Sequence, residues 1–353
     1  MNNFQEILSG APPIGEVPCP GYLAPAPPWL CPLSDFKLIR VSGKEAFNFL
    51  NNQLSNDLDE ISQGRSQFNA YCNPKGRLYG VFHVFTDDKG YLLRTTASTL
   101  NLILNRLRLF VLRADVVLEE DLKLVGLGLI GNDGAHLLDK AGLPAPVAPF
   151  EIARHSAYVV IRTPGVCARY EIYAPPEKLV SAWNTLSPLT NPSAEIWRLY
   201  DILSGFANIH EQTSEMFVPQ MVNLDLTGAL SFSKGCYPGQ EVVARMHYLG
   251  KLKQRMHRLS CGSFEVACGE PVFVPAYNTQ QPSGNVVDTC RLPDGGGEYL
   301  ATLRMQSLEQ GEEIHLGAVD GPRARIQPLP YEVTADTQSG GDSSHPIQTE
   351  LKS

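Results

Sequence analysis

The apolar residues of this chain change spacing from segment to segment. They never settle into the strand–helix–strand rhythm of a parallel sheet, and this most narrows the folds open to the chain. Phe36-Lys37-Leu38-Ile39-Arg40-Val41 alternates as a strand does. Ser42-Gly43-Lys44-Glu45 follows as a capping box and predicts a helix with Ala46, Phe47, Leu50 and Leu54 near one face. Leu78 to Phe85 is strand-like, and Asp87-Asp88-Lys89-Gly90 predicts a hairpin turn into Tyr91-Leu92-Leu93. Positions 100, 103, 104, 107, 110 and 111 are apolar at helical spacing. Asn191-Pro192, cap then proline, predicts a helix through Ile196, Trp197, Tyr200 and Leu203 that stops near Gly205. This mixture reads as α+β.

The two ends differ from the middle. Residues 1–33 are proline-rich and read as an extended arm, partly ordered at most, that builds neither helix nor central strand. After about Gly250, short strand-like runs such as Pro271-Val272-Phe273-Val274-Pro275 and Gly284-Asn285-Val286-Val287 alternate with turns. A small C-terminal β-barrel over 251–333 is expected, closing near Leu329-Pro330-Tyr331. Residues 334–353 are polar and aperiodic and read as a disordered tail.

Composition excludes several classes. The 353 residues carry a net charge of −8, against a chain whose main work is gripping nucleic acid. No apolar run approaches the ~20 residues of a membrane helix. The first ten residues lack a basic start followed by an apolar block, so no secretory signal is expected and the cytoplasm is the expected location. The eight cysteines, at 19, 31, 72, 167, 236, 261, 268 and 290, form no Cys-x-x-Cys pair. Zinc ribbons are not expected, and most of these thiols read as small, reduced core residues.

Cys236 stands apart. It lies in Lys234-Gly235-Cys236-Tyr237-Pro238-Gly239-Gln240-Glu241. Gly235 and Gly239 let the loop turn sharply. Lys234 and Arg245 are cations that would favour the reactive thiolate, and Gln240 and Glu241 add hydrogen-bonding capacity. The residues alone suit either a reactive, partly exposed thiol or a loop cysteine packed under a turn.

That octapeptide, continued by Val242-Val243-Ala244-Arg245, is similar to the signature of the YgfZ family. Phe217-Val218-Pro219-Gln220, Asn223-Leu224, Asn73-Pro74-Lys75-Gly76-Arg77 and Pro328-Leu329-Pro330-Tyr331 also resemble it. The likeness covers roughly residues 34–333. Pro238 departs from the pattern, standing where relatives usually carry a small or β-branched residue.

The resemblance implies the fold of the glycine cleavage system aminomethyltransferase, with two intertwined subdomains over 34–250. It implies tetrahydrofolate, or a one-carbon derivative, in a central channel. The implied role is aid to the assembly or repair of iron–sulfur enzymes, including tRNA-modifying ones, with the motif cysteine required. The partners implied are folate and apo or damaged iron–sulfur proteins, with an indirect tRNA link, no membrane and a monomeric chain.

By the same resemblance, Phe36 and Trp197 fall where the family contacts folate; Phe36 suits a core equally well, and Trp197 is the stronger candidate because its ring can stack while its N–H seeks a partner. Tyr237, Gln240 and Glu241 join them as expected cofactor-side residues. True aminomethyltransferases carry a carboxylate in the stretch matching Asn73 to Val81, where this chain has none. They also carry a glutamate where Leu203 stands. Asp201 is expected to point elsewhere on its helix. Folate binding without aminomethyl transfer is therefore expected.

Other features are weaker. Arg245, Lys251, Lys253, Arg255 and Arg258, with His247 and His257, could form an RNA-facing strip or attract a folate glutamate tail. The alternation of Lys251, Lys253, Arg255 and His257 with Leu252, Gln254 and Met256 favours a solvated strand. The histidines lack metal-ligand spacing, no metal site is expected, and His83 reads as a satisfied strand residue.

Overall fold

The computed structural model describes residues 28–333 apart from 194, 250, 251 and 312. The tail at 334–353, most of the proline-rich arm and Lys251 lie outside the described residues.

Two sheets face each other across a common core, and a barrel closes one end. The first sheet is antiparallel, in the order Gln67–Cys72, Leu78–Asp87, Gly90–Thr96, Phe36–Ser42, Val117–Glu120. Strand side chains alternate between faces, and the sequence supplies two apolar sets. Ile39, Val41, Val84 and Leu93 pack outward with Phe49, Leu50, Ile103 and Leu107 from the helices Ala46–Asn51 and Leu100–Arg108. Leu38, Phe68, Phe85 and Leu92 point inward.

The second sheet runs Asn191–Pro192, Trp29–Pro32, Val125–Ile130, Arg169–Ala174, Tyr158–Thr163, Ile152–His155. It too is buried on both faces. Leu30, Leu127, Val160 and Ile172 pack against the helices Gly134–Lys140 and Pro176–Leu186. Trp29, Cys31, Ile161 and Tyr173 point to the shared interior.

Between the sheets lies the helix Ile196–Leu203, of which only Arg198 is not buried. A helix that is apolar nearly all round belongs inside, and this one also touches Met256, Val287, Cys290 and Leu300 of the barrel. The barrel closes in the order Gln254–Cys261, Gly297–Arg304, Gly284–Arg291, Pro271–Phe273, Ile314–Leu316, Arg323–Gln327. Its interior is aliphatic around Tyr299.

Four local expectations are corrected. Trp29–Pro32 is a buried strand paired with Val125–Ile130, so ordered structure begins before Phe36. The flanking prolines hide an apolar run whose one proline stands at the strand's end, where a missing donor costs little. Ser42 and Glu45 form no capping box: Glu45 Oε2 instead accepts from the Asp115 amide at 2.6 Å, and the helix stops at Asn51, before Leu54. The helix over 100–111 ends at Arg108. Asn191-Pro192 is a two-residue strand, and its helix starts only at Ile196. The Asp87–Gly90 hairpin forms as expected, with Gly90 at φ +133° and no room for a side chain against the Val41 carbonyl. No helix among the described residues is long and apolar enough to cross a membrane.

Candidate functional site

The cysteine loop is held from below and presented outward. Gly239 sits at φ +82°, and a Cβ there would come within 2.5 Å of the Asn73 carbonyl. Opposite it, Gly76 at φ +71° packs on Val242. The Asn73–Arg77 turn is therefore the seat on which the loop and the helix Gln240–Leu249 rest. Asn73 fixes that turn by accepting from the Lys75 and Arg77 amides at 2.8 and 3.0 Å. Gly235 shows neither a left-handed φ nor a close neighbour, so the loop-shaping role expected of it falls to Gly239 alone.

The Cys236 side chain is exposed. It lies in a shallow surface depression with Pro74, Tyr237, Gln240, Glu241 and Ala244. The two cations expected to activate it are engaged elsewhere. The Lys234 ammonium is buried and donates to the carbonyls of Asn51, Leu54 and Asn56 at 2.7, 2.8 and 2.8 Å. These are carbonyls at and beyond the end of the helix Ala46–Asn51, which a charged donor satisfies. Burial pushes the Lys234 amine down to about 8. Arg245 pairs with Glu241 one helical turn away at 2.6 Å, both side chains largely exposed.

A second concavity lies between the first sheet, the end of the central helix and the segments at 206–208 and 224–227. It is a narrow, partly open cleft lined by Phe36, Phe68, His83, Arg94, Asp201, Phe206, Asn208 and Thr227 among others. Phe36 offers an aromatic face, with the Arg94 guanidinium 4.0 Å from its centroid. Asp201 enters this wall, contrary to the orientation expected from its helix. The helix is buried everywhere but at Arg198, so a residue two positions from the apolar stripe still meets the interior. One Asp201 oxygen accepts from Arg169 at 2.7 Å and the other from Asn208 at 3.2 Å.

Behind the cleft, buried Glu171 accepts from Tyr173 at 2.6 Å and Thr163 at 3.1 Å. His83 Nδ1 is 3.0 Å and Arg94 Nε 3.6 Å from the same carboxylate. Burial alone would raise its pKa, but Arg94 and then His83 hold it well below the carboxylate range. His83 Nε2 meets Ser66 Oγ at 2.8 Å, so the ring is a satisfied interior residue as expected. Arg94 Nη1 and Thr227 Oγ1 are buried with no hydrogen-bond partner among the described residues. Unmatched donors on a cavity wall are costly unless a ligand meets them.

The two concavities share no lining residue. Phe36 belongs to the cleft, whereas Tyr237, Gln240 and Glu241 belong to the depression around Cys236. Trp197 lines neither. It is a core residue packed so tightly on Gly128 that a Cβ there would come 2.2 Å from its ring, with Arg169 over its face at 4.9 Å. The basic strand is not a solvated face. Arg255 is buried against Asp225 at 2.7 Å, and Arg258 against Glu298 at 2.8 Å, leaving Lys253 exposed. His257 is half-buried, and burial pushes it down to about 4. Sequence reasoning missed Arg94, Asn208 and Thr227. The one signal was Arg94 itself, a charge facing inward on an otherwise apolar and hydroxyl-bearing strand.

With this geometry in place, known proteins give a direct comparison. Over 232 residues the chain is 30% identical to the tRNA-modifying protein YgfZ of Colwellia psychrerythraea, covering 66% of this chain and 71% of that one. The chain belongs to the YgfZ family. The YgfZ of Pectobacterium carotovorum subsp. carotovorum is 26% identical over 310 residues, covering 87% and 92%. No protein-family model matches the chain. Among solved structures, the glycine cleavage system aminomethyltransferase of Bartonella henselae superposes with a TM-score of 0.70 at 18% identity, covering 87% of each chain. This YgfZ-family chain therefore has the aminomethyltransferase fold with a closed C-terminal barrel.

Proposed function

We propose that this chain binds tetrahydrofolate, or a one-carbon derivative of it, in the Phe36 cleft and supports the assembly or repair of iron–sulfur enzymes through the Cys236 thiol. One observation carries the binding: an aromatic face at Phe36 stands in one wall with the Asp201 carboxylate and the unmatched Arg94 donor. A pterin is a flat heterocycle with a donor–acceptor edge, and such a site needs a stacking surface and a few directed polar groups. The buried guanidinium donor of Arg94 and the buried hydroxyl of Thr227, without hydrogen-bond partners among the described residues, are groups a ligand carbonyl would satisfy.

Aminomethyl transfer is not part of the proposal. Both Asp201 oxygens are engaged by Arg169 and Asn208, and both His83 nitrogens by Glu171 and Ser66. The thiol's exposed position suits an encounter with a protein-sized partner, an apo or damaged iron–sulfur protein. The tRNA connection in the relatives' names then runs through tRNA-modifying clients, since Arg255 and Arg258 are spent inside the fold. A monomer acting in the cytoplasm completes the proposal.

Calorimetric titration with tetrahydrofolate under anaerobic conditions tests it. Phe36→Ala and Asp201→Asn should each weaken binding about tenfold or more, and Cys236→Ser should leave it unchanged. Absence of binding by the full chain, or indifference to both cleft substitutions, would end the folate assignment. In cells lacking the protein, Cys236→Ser should fail to restore iron–sulfur enzyme activity at normal protein levels. Full restoration would remove the thiol's role.

A further inference from the structure

Where the helix Ile196–Leu203 meets the barrel lies a polar cluster that neither concavity uses as its centre. It comprises Arg198 on the helix, His210 on the segment following it, and Cys268 and Asp288 on the barrel. The metal-capable atoms of His210, Cys268 and Asp288 all lie within 4.8 Å of one another. Arg198 Nη2 sits among them, 2.6 Å from Asp288 Oδ1, 3.1 Å from His210 Nε2 and 3.5 Å from Cys268 Sγ.

An ion pair between Arg198 and Asp288 needs neither an imidazole nor a thiol. Their presence also creates a conflict. His210 Nε2 is 3.0 Å from Asp288 Oδ1 as well as 3.1 Å from the guanidinium. Protonated, that nitrogen suits the carboxylate and opposes Arg198; unprotonated, it accepts from Arg198 and opposes the carboxylate. A single metal cation at the position of Nη2 removes the conflict, because a nitrogen lone pair, a thiolate and a carboxylate then all point at one positive centre. This donor set is the one borderline-soft divalent ions take.

We propose that His210, Cys268 and Asp288 form a binding site for a zinc-type divalent cation, held closed in the resting protein by Arg198. Binding exchanges the Cys268 S–H bond for an S–metal bond and releases the thiol proton to solvent. The Arg198 side chain, 29% exposed, already has a route outward. Metal–ligand lengths of about 2.0–2.3 Å put tetrahedral donors about 3.5 Å apart; His210 Nε2 and Asp288 Oδ1, at 3.0 Å, already stand that close, so the inward shift, about 1 Å at most, falls to Cys268. Cys268 lies between strands, next to Gly269, whose amide and carbonyl are bonded to Val286 and Asn285, so the shift is one of the thiol side chain. Without a metal the thiol stays protonated, since burial and then Asp288 push it up to about 12. Asp288 Oδ2 also accepts from Asn208, which donates to Asp201 in the cleft, so occupancy of this site bears on the cleft wall.

Cobalt(II) added to the reduced full chain provides the test, read by its thiolate-to-cobalt charge-transfer band and by the ligand-field bands of a four-coordinate ion. Arg198→Ala should bind one cobalt per chain about tenfold or more tightly than the unaltered protein, having lost the internal competitor. Cys268→Ser should abolish the charge-transfer band, and His210→Gln should weaken binding while keeping it. Cys236→Ser should change nothing. Circular dichroism and melting of each variant exclude unfolding as the cause. The site is refuted if Arg198→Ala shows no band or binds no more tightly, or if the band survives Cys268→Ser.

Discussion

The cleft and the cysteine depression are built on opposite plans. The cleft wall carries the buried charges Arg94 and Asp201, and their pairing with Glu171 and Arg169 behind it holds the facing sheets and the central helix together. The depression is a surface feature. Its residues are exposed or half-buried apart from Tyr237, and its order comes from below, through Gly239 on the Asn73 turn and Lys234 on three carbonyls. Recognition and stability are thus one problem at the cleft, while reactivity and stability are separable at the thiol.

Five substitutions sharpen or break that contrast. Asp201→Ala should have the largest effect, about 3–5 kcal/mol in urea denaturation, because it leaves fully buried Arg169 without its carboxylate. A loss under ~1 kcal/mol would show that the cleft charges are dispensable to the fold. Gly239→Ala should cost about 2 kcal/mol, from a left-handed φ and the Asn73 carbonyl in its path, whereas Gly235→Ala should stay within ~0.5. Equal effects would remove Gly239 as the pivot.

Lys234→Met should cost about 1–2 kcal/mol at neutral pH by orphaning three carbonyls. Its pH dependence is diagnostic. With the amine near 8 in the fold and 10.5 when unfolded, the unfolded chain holds the extra proton between those values. The native protein therefore gains stability relative to the methionine variant as pH rises through that window, and parallel pH–stability curves would contradict the buried ammonium. Cys236→Ser should have the smallest effect, within ~0.5 kcal/mol, with melting temperature as the readout.

The sequence shows the outer architecture more clearly than the sites. Strands buried on one apolar face per side announce themselves by alternation, as at Phe36–Val41, and the barrel by its evenly spaced short runs. The family signature located the one exposed cysteine of the described set. What stayed hidden depends on partners distant in sequence. Asp201 could be placed only by knowing that its helix is enclosed everywhere but at Arg198. The destination of Lys234 is a helix end some 180 positions earlier, and Trp197 looked available because its neighbour across the core, Gly128, is silent in a linear reading. Arg255 mimicked part of a solvated strand because alternation reports two faces, not which of them is wet.

The enclosed helix Ile196–Leu203 also bears on how this chain can be divided. The change of pattern near residue 250 suggests a seam, but Met256, Val287, Cys290 and Leu300 lie in the same core as Trp197 and Phe85. A fragment ending before the barrel would leave one flank of its innermost helix in water. Any tag, fusion or split of this protein is therefore better sited in a peripheral turn, such as Gly295 at the tip of its hairpin, than at the apparent boundary between its halves.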